Sequence, residues 1–94
     1  MIYKIAICDD DKADRQYIEA LVEKWAKDAG HSVQIAAFES AESFLFDYVA
    51  ERDYDILLLD IEMGEMDGVT MAKKLRRDNA AVQIVFITGY SDYI

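Results

Sequence analysis

Apolar residues along this chain follow two alternating rhythms. Short runs rich in β-branched and aliphatic residues, Ile2–Cys8, Val33–Phe38, Ile56–Leu59 and Val82–Ile87, read as strands. Between them the apolar positions recur at helical spacing. Tyr17, Ile18, Leu21, Val22 and Trp25 form one stripe, which predicts an amphipathic helix over residues 12–29 with Trp25 in the core. Ala41, Phe44, Leu45, Tyr48 and Val49 form a second stripe behind Ser40, and Val69, Ala72, Leu75 and Arg76 mark a third helix. Asp11 and Ser40 stand where N-caps belong, and Gly30 stands where the first helix should end in the left-handed conformation. The turn pair Asp67-Gly68 closes a loop that starts at Glu62. The predicted order is β-α-β-α-β-α-β in a single domain spanning residues 1–94. Alternation of this kind implies an α/β, doubly wound parallel sheet with helices on both faces. The third run is apolar at almost every position, as expected of a strand covered on both sides.

The residues just past the strands are chemically distinctive. Asp9 and Asp10 come after the first run, Asp60 after the third, Thr88 and Gly89 after the fourth. Right-handed crossovers between parallel strands place these ends along one rim, and open α/β sheets bind ligands there. Like charges about 4 Å apart repel by roughly 4 kcal/mol at an effective dielectric near 20. Such a cluster needs protonation, dispersal into water or a cation. Oxygen donors suit Mg2+, and the lone nearby thiol, Cys8, lies in an apolar run, which weakens a zinc or copper reading. With Mg2+ at hand, Asp60 at the tip of the central strand is the candidate nucleophile toward a phosphoryl group. Asp9, Asp10 and Asp60 are the candidate metal ligands, together with the backbone carbonyl of Glu62. Thr88 is the candidate hydroxyl donor to the phosphoryl group, and Gly89 leaves room beside it. Each signal alone has a plain explanation, because strands often end in Asp where turns favour it. Their joint placement carries the argument.

Composition narrows the setting. The net charge of −9 argues against nucleic-acid binding by this segment. Most of the acids, such as Glu19, Glu23, Asp47 and Glu51, are expected on solvated helix faces. The sequence has no apolar run long enough for a membrane span. Its N-terminus has no basic-then-apolar leader, and the single Cys8 suits a reducing compartment, so a cytoplasmic location is expected. His31, after the Gly30 turn, is expected to be an exposed loop residue.

Taken in order, Ile7-Cys8-Asp9-Asp10-Asp11, Asp55-Ile56-Leu57-Leu58-Leu59-Asp60-Ile61-Glu62-Met63, Met66-Asp67-Gly68 and Phe86-Ile87-Thr88-Gly89 resemble the receiver domain of two-component response regulators. The resemblance implies a flavodoxin-like (CheY-like) fold with strand order 2-1-3-4-5. It implies Asp60 as phosphoacceptor, Asp9 and Asp10 as magnesium ligands, and Thr88 as switch hydroxyl. It further implies a sensor histidine kinase as partner, and no enzymatic activity beyond self-catalysed phosphorylation and dephosphorylation of Asp60. The start, Ile7-Cys8-Asp9-Asp10, and the end, Ile87-Thr88-Gly89-Tyr90-Ser91-Asp92-Tyr93-Ile94, resemble receivers that precede a LytTR-type DNA-binding output domain. Two departures stand out. Gly64 occupies a place where the family usually has Pro. The family's Lys-bearing fifth strand and fifth helix have no counterpart after Ile94, so the sequence resembles a receiver truncated after its fourth strand. An unpaired apolar fourth strand then implies a homodimer, or association by edge pairing or exchange of elements. Two other readings share some of these residues. A haloacid-dehalogenase-like phosphatase uses an Asp nucleophile and magnesium, and Asp60-Ile61-Glu62 loosely matches its Asp-x-Asp spacing. A non-phosphorylated pseudo-receiver would act as a dimerisation module alone.

Overall fold

A computed structural model describes residues 2–50, 53–61, 67–77 and 81–87. The elements are β1 (Ile2–Cys8), α1 (Lys12–Ala29), β2 (Ser32–Phe38), α2 (Ala41–Ala50), β3 (Ile56–Asp60), α3 (Gly68–Arg77) and β4 (Gln83–Ile87). All strands run parallel in one sheet of order β2-β1-β3-β4. The expected alternation therefore holds, and the sheet is doubly wound from a central β1. Among the described residues no fifth strand is present. Glu62, Gly64, Thr88 and Gly89 lie outside the described residues.

β1 lies between β2 and β3, in register Ile5↔Ile35 on one side and Ile7↔Leu58 on the other. Both of its edges are paired, and Ile5, Ala6, Ile7 and Cys8 are buried. This is the near-continuous apolar pattern of an inner parallel strand. One sheet face packs Ala6, Cys8, Leu57 and Leu59 against Ala41, Phe44 and Tyr48 of α2 and Met71 and Leu75 of α3. Phe44 meets Phe38 edge-on, with ring centroids 5.4 Å apart, a favoured aromatic geometry. On α3, Met71 and Leu75 take the buried positions while Val69 faces out.

The opposite face is covered differently from expectation. Ile18 and Ala26 of α1 are buried, but Trp25 is 47% exposed, Tyr17 is 66% exposed, and Leu21 is also exposed. Trp25 is therefore not a core residue. The reason is the width of the sheet relative to one helix. α1 packs over β1 and β2, and the rest of its apolar stripe borders an open groove of about 540 Å³. Ile56, Leu58, Val85 and Ile87 form part of the groove wall from the sheet side. Trp25 instead stacks on His31, with centroids 5.2 Å apart, and His31 meets Tyr3 edge-on at 5.3 Å. His31 is exposed, as expected, yet held in this ring cluster.

The caps form as the sequence suggests. The Asp11 carboxylate accepts from Asp14 N at 2.9 Å and closes the first turn of α1. Gly30 has φ +74° and ends the helix, with His31 N donating to Ala26 O at 2.8 Å. Ser40 Oγ accepts from Ser43 N at 3.0 Å at the start of α2. Among the described residues no helix is long and apolar enough to cross a membrane.

Candidate metal and phosphoacceptor site

β1 delivers Asp9 to the carboxyl rim of the sheet, where it is only 4% exposed. Three hydrogen bonds hold it there. Its N–H donates to Phe38 O at 3.1 Å, its Oδ1 accepts from Asp11 N at 2.9 Å, and its carbonyl accepts from Arg15 Nη1 at 2.9 Å. Asp10 follows, exposed, before the turn passes through Asp11 into α1. β3 delivers Asp60 as its last residue, paired with Ile87 and 9% exposed. The chain then continues with Ile61 N donating to Ile87 O at 3.3 Å.

One carboxylate oxygen each from Asp9, Asp10 and Asp60 lies within 4.8 Å of the other two. The structure thus brings together three of the predicted ligands. The carbonyl of Glu62 and the hydroxyl of Thr88 lie outside the described residues. Burial raises the Asp9 pKa above the ordinary carboxylate range, and the charges of Asp14, Asp10 and Asp11 push the same way against the Asp11 N–H. A carboxylate raised by burial and like charge is relieved by a cation. The donors are all hard oxygens, so the set fits a cation such as Mg2+. Cys8 takes no part in this chemistry. Burial, followed by the charges of Asp9, Glu42 and Asp60, pushes its thiol up to about 12. It stays neutral and donates to Ser40 O at 3.2 Å.

Two residues escape the sequence reading of the site. Gly68 starts α3 directly against Asp60. A Cβ built there would collide with the Asp60 carbonyl oxygen and come within 3.2 Å of Ile61 Cα. The turn pair was visible in sequence, but its approach to Asp60 depends on how α3 docks below β3. Arg15 is the other. Its signal was a cation in the first turn of α1, where the positive end of the helix favours acids.

Residues 5–94 match the response regulator receiver domain. The chain belongs to that family. The receiver is 33% identical over 87 residues to the transcriptional regulatory protein ZraR of Escherichia coli O157:H7, covering 93% of this chain and 18% of ZraR. It is 29% identical over 90 residues to the transcriptional regulatory protein NatR of Bacillus subtilis, covering 96% of this chain and 36% of NatR. The receiver therefore spans well under half the length of these curated relatives. Its fold matches that of the MaeR response regulator bound to beryllium trifluoride, with TM-score 0.78 and 24% identity, covering 95% of this chain and 69% of that one. The CheY-like fold expected from the sequence is thus present in its four-stranded part.

Proposed function

We propose that this receiver accepts a phosphoryl group on Asp60 from a sensor histidine kinase and so switches an output domain. The observation that carries the reading is the meeting of Asp60 with Asp9 and Asp10 within 4.8 Å at the end of a central strand. Asp9, Asp10 and Asp60 would hold Mg2+, with the Glu62 carbonyl as a further ligand. When bound, Mg2+ offsets the negative charge of the carboxylates and of the phosphoryl oxygens. An Asp60 carboxylate oxygen attacks the phosphorus of a phosphohistidine. The P–N bond breaks, its electron pair returns to the imidazole, and an acyl phosphate forms on Asp60. β3 and the contact with Gly68 keep Asp60 in position for this attack. Thr88 would donate its hydroxyl to the new phosphoryl group, with Gly89 leaving space for it.

Several observations support the wider reading. ZraR and NatR are transcriptional regulators of which this chain matches only a part, which supports a DNA-binding output domain beyond the receiver. The motif style of Ile7-Cys8-Asp9-Asp10 supports the LytTR type. The net charge of −9 supports a module that touches no nucleic acid itself. That MaeR binds beryllium trifluoride supports a phosphoryl-sized anion as a ligand of this fold. The test is labelling with acetyl phosphate and Mg2+, read by intact-protein mass spectrometry. One added phosphoryl group is expected, lost in Asp60→Asn and blocked by EDTA. Labelling that persists in Asp60→Asn would overturn the assignment.

A further inference from the structure

Arg15 sits in the first turn of α1, beside a cluster proposed to hold a divalent cation. Coulomb's law alone makes it an opponent of that cation. The helix dipole also disfavours a positive charge at this end. Its geometry explains why it is there. The side chain is half-buried and reaches back six residues, and Nη1 donates to the Asp9 carbonyl oxygen at 2.9 Å. That carbonyl belongs to the peptide joining Asp9 to Asp10. Asp9 is also tied through its N–H to Phe38 O and through its Oδ1 to Asp11 N. The turn beyond is tied as well, with Arg15 N donating to Asp11 O at 2.9 Å. The Asp9–Asp10 peptide lies inside the ring closed by the bond from Asp11 N to Asp9 Oδ1, and Arg15 adds a second hold on its carbonyl. The orientation of this peptide plane helps set the direction in which the Asp10 side chain leaves the backbone. Asp10 is exposed, so packing does little to hold it.

We infer that Arg15 is a positioning residue for the metal site: by gripping the Asp9 carbonyl, it turns the Asp10 carboxylate toward Asp9 and Asp60. This rests on the reading of the three acids as a cation site. The two effects of Arg15 have opposite signs, which makes them separable. As a bare charge it weakens cation binding, and as a clamp on a ligand-bearing peptide it strengthens it. Groups that orient metal ligands typically change metal affinity by roughly 10- to 100-fold when removed.

The experiment measures Mn2+ binding to the full chain by loss of the free-ion EPR signal, with Mg2+ as competitor. Thermal unfolding without metal checks that each variant is folded at the assay temperature. Wild type is expected to bind and Asp60→Asn to bind far more weakly. Arg15→Ala should weaken binding about tenfold, and Arg15→Lys, which keeps the charge and a donor, should recover part of that loss. In an Asp10→Ala background the clamp has nothing left to aim, so Arg15→Ala should no longer weaken binding. No Mn2+ binding by wild type would overturn the metal-site reading and this inference with it. Binding by wild type that is unchanged or tighter in Arg15→Ala would overturn the role of Arg15 alone. So would an equal loss in the Asp10→Ala background, or a lowered unfolding temperature with unchanged affinity.

Discussion

Asp9 is buried at the rim with acids on several sides, and its pKa is raised as a result. A carboxyl group whose folded pKa lies above its unfolded value binds protons more tightly in the folded chain. Its contribution to stability is then present at low pH and is lost as pH rises through the folded pKa. In EDTA, Asp9→Asn should therefore unfold at a higher temperature than wild type at neutral pH. The gap should close as the pH is lowered through the Asp9 titration, because wild type then loses the same charge. Asn keeps the oxygen that accepts from Asp11 N, so the turn itself is preserved. Thermal melts across the acidic to neutral range check this. Gly68 presents the opposite kind of constraint, one of space. Gly68→Ala forces a Cβ against the Asp60 carbonyl. Overpacking of this kind costs about 1–3 kcal/mol, measurable by urea unfolding. Labelling of Asp60 by acetyl phosphate should slow with it, since the displaced atom belongs to the proposed phosphoacceptor.

Elements here owe their ends to local chemistry and their faces to packing. Asp11 caps α1 through Asp14 N, so Asp11→Ala should cost about 1 kcal/mol. Urea unfolding of that variant should show the loss without a change in the slope of free energy against denaturant. Asp67 serves α3 in the same way, accepting from Thr70 N at 2.7 Å. That bond holds the Asp67 carboxyl below its ordinary range. Its sign is opposite to that of Asp9: the stabilisation is present above the unfolded pKa and fades as pH falls through the folded one. Such caps are legible in sequence because they involve residues three apart. The exposed pair Lys24–Asp28, one helical turn apart (i, i+4) and at 3.0 Å, is also a near-neighbour contact and contributes little. The buried faces were legible only in part. Leu75, on the stripe marked on α3, is buried, but Val69, on the same stripe, is exposed, and Trp25, on the stripe of α1, is half exposed.

At the scale of the molecule, the sheet has more apolar surface than its described helices cover. β4 pairs with β3 alone among the described residues, and Val85 and Phe86 are exposed on its two faces. The strand carries no charge or proline to protect its edge. The 94-residue chain is therefore expected to self-associate as concentration rises. Added salt should strengthen this by screening the net charge of −9. Val85→Lys should suppress it, as read by size-exclusion chromatography with light scattering. A monomer at every concentration and salt level would contradict the expectation. The order of the elements, the caps of α1 and α2, and the identity of the acids at the strand ends were all readable from the bare chain. They arise from spacing and from residue types that act on near neighbours. It took the packed molecule to establish that Asp9, Asp10 and Asp60 meet within 4.8 Å, that Gly68 abuts Asp60, and that Trp25 borders an open groove. Those facts depend on crossovers, on the docking of α3 and on how far one helix spans a four-stranded sheet. Contacts between residues about fifty positions apart leave no periodic trace in the chain.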